Sequence, residues 1–169
     1  MLDDFFKAGN VAVIGVSRNP KKIGHVIFRN FMNPKFKGKV YPVNPNAQDV
    51  LGEKCYKSIT EVPGKVDLAV IVVPAAGVAD SLKECGKKGI RAAIIISGGF
   101  GEVVNRGLED EVKKIAQNYK IRIIGPNCIG IVNYLANASM TFSGVPWSAS
   151  SHDRAIGMIS QSGALGFAM

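Results

Sequence analysis

A chain of 169 residues, 47 % of them apolar, can bury one substantial core and is too apolar to stay disordered. No apolar run reaches the roughly eighteen residues of a membrane span, and the acidic start Met1-Leu2-Asp3-Asp4-Phe5-Phe6 is unlike a secretory leader, so a cytoplasmic protein without a membrane partner is expected. The net charge of +8 calls for anionic partners, yet no zinc-finger spacing, helix-turn-helix or aromatic-laced basic stripe points to nucleic acid.

Taken in order, Asp3 to Ala8 reads as a short helix ended by Gly9-Asn10. Val11 to Ile14 is a first buried strand, broken at Gly15. After a basic loop, Ile23, Ile27 and Phe31 share the face of a helix running to Met32, before Pro34. Val40 to Val43 is a second strand despite Pro42, and Asn44-Pro45-Asn46 is a turn. Leu51 to Pro63 has no period and reads as a loop with one helical turn. Strands at Val66–Val73, Ala92–Ile96 and Ile121–Ile124 alternate with helices at Gly77–Lys88 and Val104–Tyr119. Beyond Ile131 the chain turns polar, with a strand expected around Ser139 to Phe142. Ala155 to Ile159 then reads as a new strand, and Ser160-Gln161-Ser162-Gly163 as a helix start.

The alternation predicts an α/β fold, a Rossmann-like doubly wound parallel sheet. Residues 1–150 form that domain. Residues 151–169 are read as the first strand and helix start of a second, truncated domain, so that the chain is expected to be part of something longer. Ligands of such sheets sit beyond the carboxyl ends of the strands. Here those ends are Gly15-Val16-Ser17, Val43-Asn44-Pro45, Val73-Pro74-Ala75, Ser97-Gly98-Gly99 and Gly125-Pro126-Asn127, all of small or turn-forming residues.

A strand, a glycine turn and a helix start make a phosphate site from free N–H groups and the positive end of the helix dipole. The cations Arg18, Lys21 and Lys22 stand in that turn. The ligand is not read as a nicotinamide dinucleotide. Of Gly-x-Gly-x-x-Gly only Gly15 is present, Ser17 and Pro20 hold the other two positions, and the next glycine is Gly24. Asn44 stands where a carboxylate would hold the ribose diol. A 3′-phosphorylated nucleotide such as coenzyme A, which has no free diol, suits both departures. No P-loop pattern is present.

At these residues the chain resembles the N-terminal CoA-binding domain of the NDP-forming acyl-CoA synthetases, including ADP-forming acetate–CoA ligase and, more distantly, the succinyl-CoA synthetase α subunit. The resemblance rests on Val13-Ile14-Gly15-Val16-Ser17, Lys39-Val40-Tyr41-Pro42-Val43-Asn44-Pro45, Val73-Pro74-Ala75, Ile96-Ser97-Gly98-Gly99-Phe100-Gly101-Glu102, Gly125-Pro126-Asn127-Cys128-Ile129-Gly130 and Ser160-Gln161-Ser162-Gly163-Ala164-Leu165, in family order. It implies that Ser17, Arg18, Asn19 and Pro20 wrap the CoA phosphates, with Gly15, Lys21 and Asn44 in the same cofactor site. It implies that Val73 and Pro74 wall the adenine or pantetheine, that Ile96, Ser97 and Gly98 follow the pantetheine arm, and that Asn127 lies near the reacting end. Ser160, Gln161, Ser162 and Gly163 match the helix start where the family docks a phosphohistidine, in a second domain of flavodoxin-like fold.

The implied reaction is acyl-CoA + ADP + phosphate to acid + CoA + ATP. The phosphorylated histidine, ADP, ATP and Mg would come through other parts, an ATP-grasp domain or β subunit, so this chain carries no catalytic residue and no metal site. The lysine that follows the second-strand turn in the succinyl enzyme is absent, since Asn46 and Ala47 stand there, and Phe167 replaces a tyrosine. His25 is read as capping or lining the phosphate site, His152 as without a role, Cys128 as a packed small hydrophobe, and Glu102 as structural or loop-orienting. The rival readings are a non-catalytic CoA-binding regulatory module and a nicotinamide-dependent oxidoreductase domain.

Overall fold

A computed structural model describes residues 2–101, 106–143 and 157–163. Its centre is a five-stranded parallel sheet. In chain order the strands are β1 (Asn10–Ile14), β2 (Lys39–Val43), β5 (Leu68–Ile71), β6 (Ala92–Ile95) and β7 (Arg122–Ile124), and in space they run β2-β1-β5-β6-β7. Between β2 and β5 lies a two-residue-strand hairpin, β3 (Asp49–Val50) with β4 (Glu53–Lys54), and then a 3₁₀ turn, Ile59–Glu61. The helices are α1 (Asp3–Phe6), α2 (Ile23–Asn30), α3 (Val78–Lys87) and α4 (Arg106–Tyr119).

Alternation along each strand divides the core in two. Ala12, Ile14, Ala69, Ile71, Ala93 and Ile95 face α3 and α4, meeting Leu82, Cys85, Val112 and Ile115. Val11, Val13, Leu68, Val70, Ala92 and Ile94 face α2, meeting Ile27, Phe28, Phe31 and Phe5. Helices on both faces explain why the strands read as unbroken apolar runs. The chain leaves β1 toward β2 over one face and returns to β5 on the other side of β1. The point where the winding reverses is therefore the gap between the ends of β1 and β5.

One contact extends the order. Tyr56 forms a single parallel bridge to Val43 on the outer edge of β2. With Tyr56 as a rudimentary outer strand, the sheet has the 3-2-1-4-5-6 sequence of dinucleotide-binding folds. Pro42 is tolerated because its carbonyl accepts from Tyr56 N–H on this outer side, where its own missing donor also faces. The aperiodic stretch from Leu51 to Pro63 carries no pattern that would reveal this bridge.

A second hairpin pairs β8 (Gly130–Asn133) with β9 (Ala138–Thr141). Only the latter strand was expected, because Gly130 and Asn133 weaken the strand signal of the first. Asn30 Nδ2 donates to Thr141 O at 2.7 Å, and Ala138 and Met140 join the α2 side of the core. The expected strand from Ala155 to Ile159 is corrected in its described part: Gly157–Ile159 form no strand, and Ile159 is 97 % exposed with no neighbouring strand to pair with among the described residues. Ala155 and Ile156, Glu102 and His152 lie outside the described residues.

At the opposite end of the sheet from the strand tips, Asp67 holds the start of β1. Its carboxylate accepts from Gly9 N–H at 3.1 Å and Asn10 N–H at 2.9 Å and pairs with Lys65 at 2.8 Å. Partial burial alone would raise its pKa, but Lys65 and the two N–H donors outweigh it and hold the carboxyl below its ordinary value. The stabilisation is present above the unfolded value of 3.8 and is lost as pH falls through the lower folded value. Asp67→Asn is expected to cost about 1–3 kcal/mol at neutral pH. Urea melts at a series of pH values should show the gap from the parent protein shrinking below about pH 4.

Candidate functional site at the strand ends

A cavity of about 860 Å³ opens where the winding reverses. Its floor is Ile14, Gly15, Val16 and Ser17 from the end of β1, Val43 to Asn46 from β2, Val72 to Pro74 from β5, and Ile96 to Gly98 from β6. Lys22, Ile23 and Gly24 at the start of α2 form one wall. Gly77, Asp80, Ser81 and Glu84 near the start of α3 form another, and Lys57 and Ser58 close the outer edge. The volume is at the large end of small-molecule sites, with room for an extended dinucleotide-sized ligand.

Two glycines make the cavity possible. Gly15 has φ of +95°, and a Cβ on it would stand 2.8 Å from the carbonyl oxygen of Val72. At Gly24 a Cβ would run into the Gly15 carbonyl, so α2 is seated directly on the turn. Close helix–strand packing is the task of the third glycine in the dinucleotide fingerprint. Here Gly24 performs it from a later position, because the intervening loop is longer.

That loop braces itself. Asn19 N–H donates to Ser17 Oγ at 3.1 Å, Lys21 N–H to Asn19 Oδ1 at 2.9 Å, and Lys22 N–H to Asn19 O at 3.0 Å. Arg18 is turned to the β3–β4 hairpin: its Nε donates to Asp49 O at 3.0 Å and its Nη2 to Asp49 Oδ2 at 2.8 Å. Both side chains are more than half exposed, so the pair adds little stability.

Eight of the residues singled out from the sequence line the cavity: Gly15, Ser17, Asn44, Val73, Pro74, Ile96, Ser97 and Gly98. Arg18, Asn19, Pro20 and Lys21 are not in its lining, and all four are exposed. Asn127 is exposed and lies beside the cavity, its N–H donating to Ser97 O at 2.9 Å. Ser160, Gln161, Ser162 and Gly163 are exposed and line no part of it, with Ser162 N–H donating to Ser160 Oγ at 3.0 Å. Lys22 was visible only as part of the basic loop, and Lys57 was missed.

Lys57 is held in place by its backbone. Tyr56 is bridged to β2, Lys57 N–H donates to Glu61 Oε2 at 3.3 Å, and Ser58 Oγ donates to Glu84 Oε2 at 2.8 Å. Neither Lys22 nor Lys57 has a carboxylate partner among the described residues. The two carboxylates on the α3 wall are engaged, Glu84 by Ser58 and Asp80 by Lys83. A hydroxyl does not cancel the charge of Glu84, so two unpaired ammonium groups stand against one unpaired carboxylate and the balance at the cavity is positive.

Burial pushes the thiol pKa of Cys128 and Cys55 up and that of Cys85 to about 12. Cys128 Sγ donates to Ile95 O at 3.4 Å, as a packed side chain would. Among the described residues, no helix is long and apolar enough to cross a membrane.

The family comparison agrees with this geometry. The CoA binding domain family matches residues 9–134, which contain the whole sheet and every residue lining the cavity. The chain is 49 % identical over 168 residues to the α subunit of acetate–CoA ligase [ADP-forming] II of Pyrococcus furiosus, covering 98 % of this chain and 35 % of that subunit. It is 48 % identical over 157 residues to the acetate–CoA ligase [ADP-forming] of Methanocaldococcus jannaschii, covering 92 % of this chain and 21 % of that enzyme. The dinucleotide forming acetyl-coenzyme A synthetase 1 of Ca. Korarchaeum cryptofilum, solved in complex with phosphate and ADP, superposes with a TM-score of 0.87 at 40 % identity, over 99 % of this chain and 35 % of that one. The chain thus spans between a fifth and about a third of the proteins it matches. With its Rossmann-like sheet and its cavity at the strand ends, it belongs to the CoA binding domain family and is a homologue of the N-terminal region of the NDP-forming acyl-CoA synthetases.

Proposed function

We propose that the chain binds coenzyme A in the strand-end cavity and serves as the CoA-binding part of an ADP-forming acyl-CoA synthetase acting in the cytoplasm. The observation that carries this is the meeting of main-chain donors and unpaired cations at one place. The N–H groups of Ser17 and Arg18 make no hydrogen bond to another described residue, and they stand at the glycine turn that faces the start of α2. Lys22 and Lys57 add charge on two sides. Such donors suit a diphosphate, whose negative charge the helix start also favours.

The remaining surface fits the rest of the ligand. The adenosine of a dinucleotide lies toward the end of the second strand, which here is Asn44 to Asn46 with Lys57 beside it. Val72, Val73, Pro74 and Ile96 supply a mostly apolar wall for pantetheine. Bound there, coenzyme A would contribute the thiol that carries the acyl group; the residues of this chain bind and orient it. Phosphoryl transfer, with ADP, ATP and Mg, is assigned to an ATP-grasp domain or β subunit. Residues 1–150 are taken as the CoA domain and 151–169 as the entry to the domain that supplies the phosphohistidine.

Isothermal calorimetry with CoA, dephospho-CoA and NADH tests the reading. Saturable binding of CoA is expected, with dephospho-CoA weaker by about tenfold, roughly the value of one charge-assisted contact. No heat with CoA from folded protein, or tighter binding of NADH, would overturn it.

A further inference from the structure

We propose that Asn44 and His25 are positioning residues that set which way the Val16-Ser17-Arg18 turn faces. Each removes one main-chain carbonyl from the ligand side, so that the turn presents N–H groups to a diphosphate. The inference rests on the CoA-binding reading of the cavity and assigns these two side chains a part in it other than ligand contact.

Asn44 stands at the end of β2, where a ribose-reading carboxylate would be. Its amide is already fully used by the protein. Nδ2 donates to Val16 O at 2.6 Å, and Oδ1 accepts from Asn46 N–H at 2.8 Å. Both partners are main-chain groups of fixed role, so the orientation of the amide is determined. His25 lies in the first turn of α2 and is 7 % exposed. Its Nδ1 is 2.8 Å from Ser17 O. A carbonyl can only accept, so Nδ1 carries the proton, whether the ring is neutral or charged.

A trans peptide holds its C=O and N–H in opposite directions. With the Val16 carbonyl drawn to Asn44, the Ser17 N–H faces away from that side chain. With the Ser17 carbonyl drawn to His25, the Arg18 N–H faces away from the ring. Further along the loop, the N–H groups of Asn19, Lys21 and Lys22 are consumed locally, and Pro20 has none. Between Ser17 and Lys22 the two N–H groups left over are the two whose peptides are clamped; those of Val16, Ile23 and Gly24 on either side, in the cavity lining, also have no partner among the described residues. Were either peptide to flip, a carbonyl oxygen would meet the anion in place of a donor.

The test uses the 169-residue chain and two ligands. In ¹⁵N-resolved spectra, the Ser17 and Arg18 amides of the parent protein should shift on titration with inorganic pyrophosphate and with CoA. His25→Leu should abolish both shifts and weaken CoA and dephospho-CoA by the same factor, about tenfold or more, because the diphosphate is common to both. His25→Asn, which restores a donor near the Nδ1 position, should recover most of the affinity; packing alone would not be rescued this way. Asn44→Asp should lose CoA without gaining NADH, because its carboxylate would face the Val16 carbonyl.

If CoA binds while the Ser17 and Arg18 amides stay still, the clamp is overturned and the CoA reading stands. If pyrophosphate shifts them in the parent but not in His25→Leu, and CoA fails to bind, the clamp stands and the CoA reading falls. Parent-like binding by His25→Leu with the fold intact, or an Asn44→Asp protein that keeps CoA and gains NADH, also overturns the clamp.

Discussion

Gly24→Ala is expected to unseat α2 from the β1 turn and remove ligand binding. Two effects oppose each other. In a helix, alanine is favoured over glycine by about 1 kcal/mol. Against this, the new methyl would run into the Gly15 carbonyl, which is backbone and cannot turn aside as a flexible side chain could. Gly15 is itself fixed by its N–H bond to Val43 O at 2.9 Å and by the close approach of Val72. Overpacking of this kind costs about 1–3 kcal/mol, and here its relief requires the helix to move off the turn. Steric cost therefore wins, with a net loss of stability and a larger loss of CoA affinity, since the displaced elements form the cavity wall. Thermal melting and calorimetry on the same preparation check this. A Gly24→Ala protein with raised melting temperature and unchanged CoA affinity would show that the helix start has no part in the site.

Lys57→Ala should behave in the opposite way, leaving the fold intact and changing selectivity. Lys57 is exposed, and the braces on this segment come from its backbone and from Ser58, which the substitution spares. It emerges past Tyr56 at the outer edge of β2, beside Asn44 to Asn46, where the adenosine end of a dinucleotide is expected. The predicted result is about a tenfold loss for CoA with little change for dephospho-CoA, so that the preference for the 3′-phosphate disappears. The effect should shrink at high salt, as for any exposed cation. Lys22→Ala, at the start of α2, should weaken both ligands alike. An equal loss for both ligands in Lys57→Ala would place its ammonium on the diphosphate and remove the assignment to the 3′-phosphate.

These two residues also show what could be read from the sequence and what could not. The strands were legible because both faces of the sheet are covered, which leaves Val11–Ile14, Leu68–Ile71 and Ala92–Ile95 almost wholly apolar. Gly15 was legible from the abrupt end of such a run. The role of Gly24 was obscured because a fingerprint counts positions, whereas the packing requirement concerns where the helix touches the strand, and a longer loop moves that point along the chain. Lys57 was hidden because its place depends on one bridge between Val43 and Tyr56, which leaves no periodic trace. The place of Arg18 in the basic loop was legible, but its ion pair with Asp49, thirty-one residues away, was not. Asn44 was recognised as the residue in place of an acid, while its bonds to Val16 and Asn46 depend on distances that composition does not carry.

The exposure of Arg18, Asn19, Pro20 and Lys21, none of them in the cavity lining, bears on how such proteins diverge. A grip made of peptide groups makes little demand on the side chains hung from them. On the CoA-binding reading, Arg18 and Lys21, whose side chains make no bond within the loop, should tolerate replacement, whereas Asn19, which accepts from Lys21 N–H, and Pro20, which has no N–H to offer, should tolerate it less. In this stretch an insertion or deletion of one residue should do more harm than several replacements together.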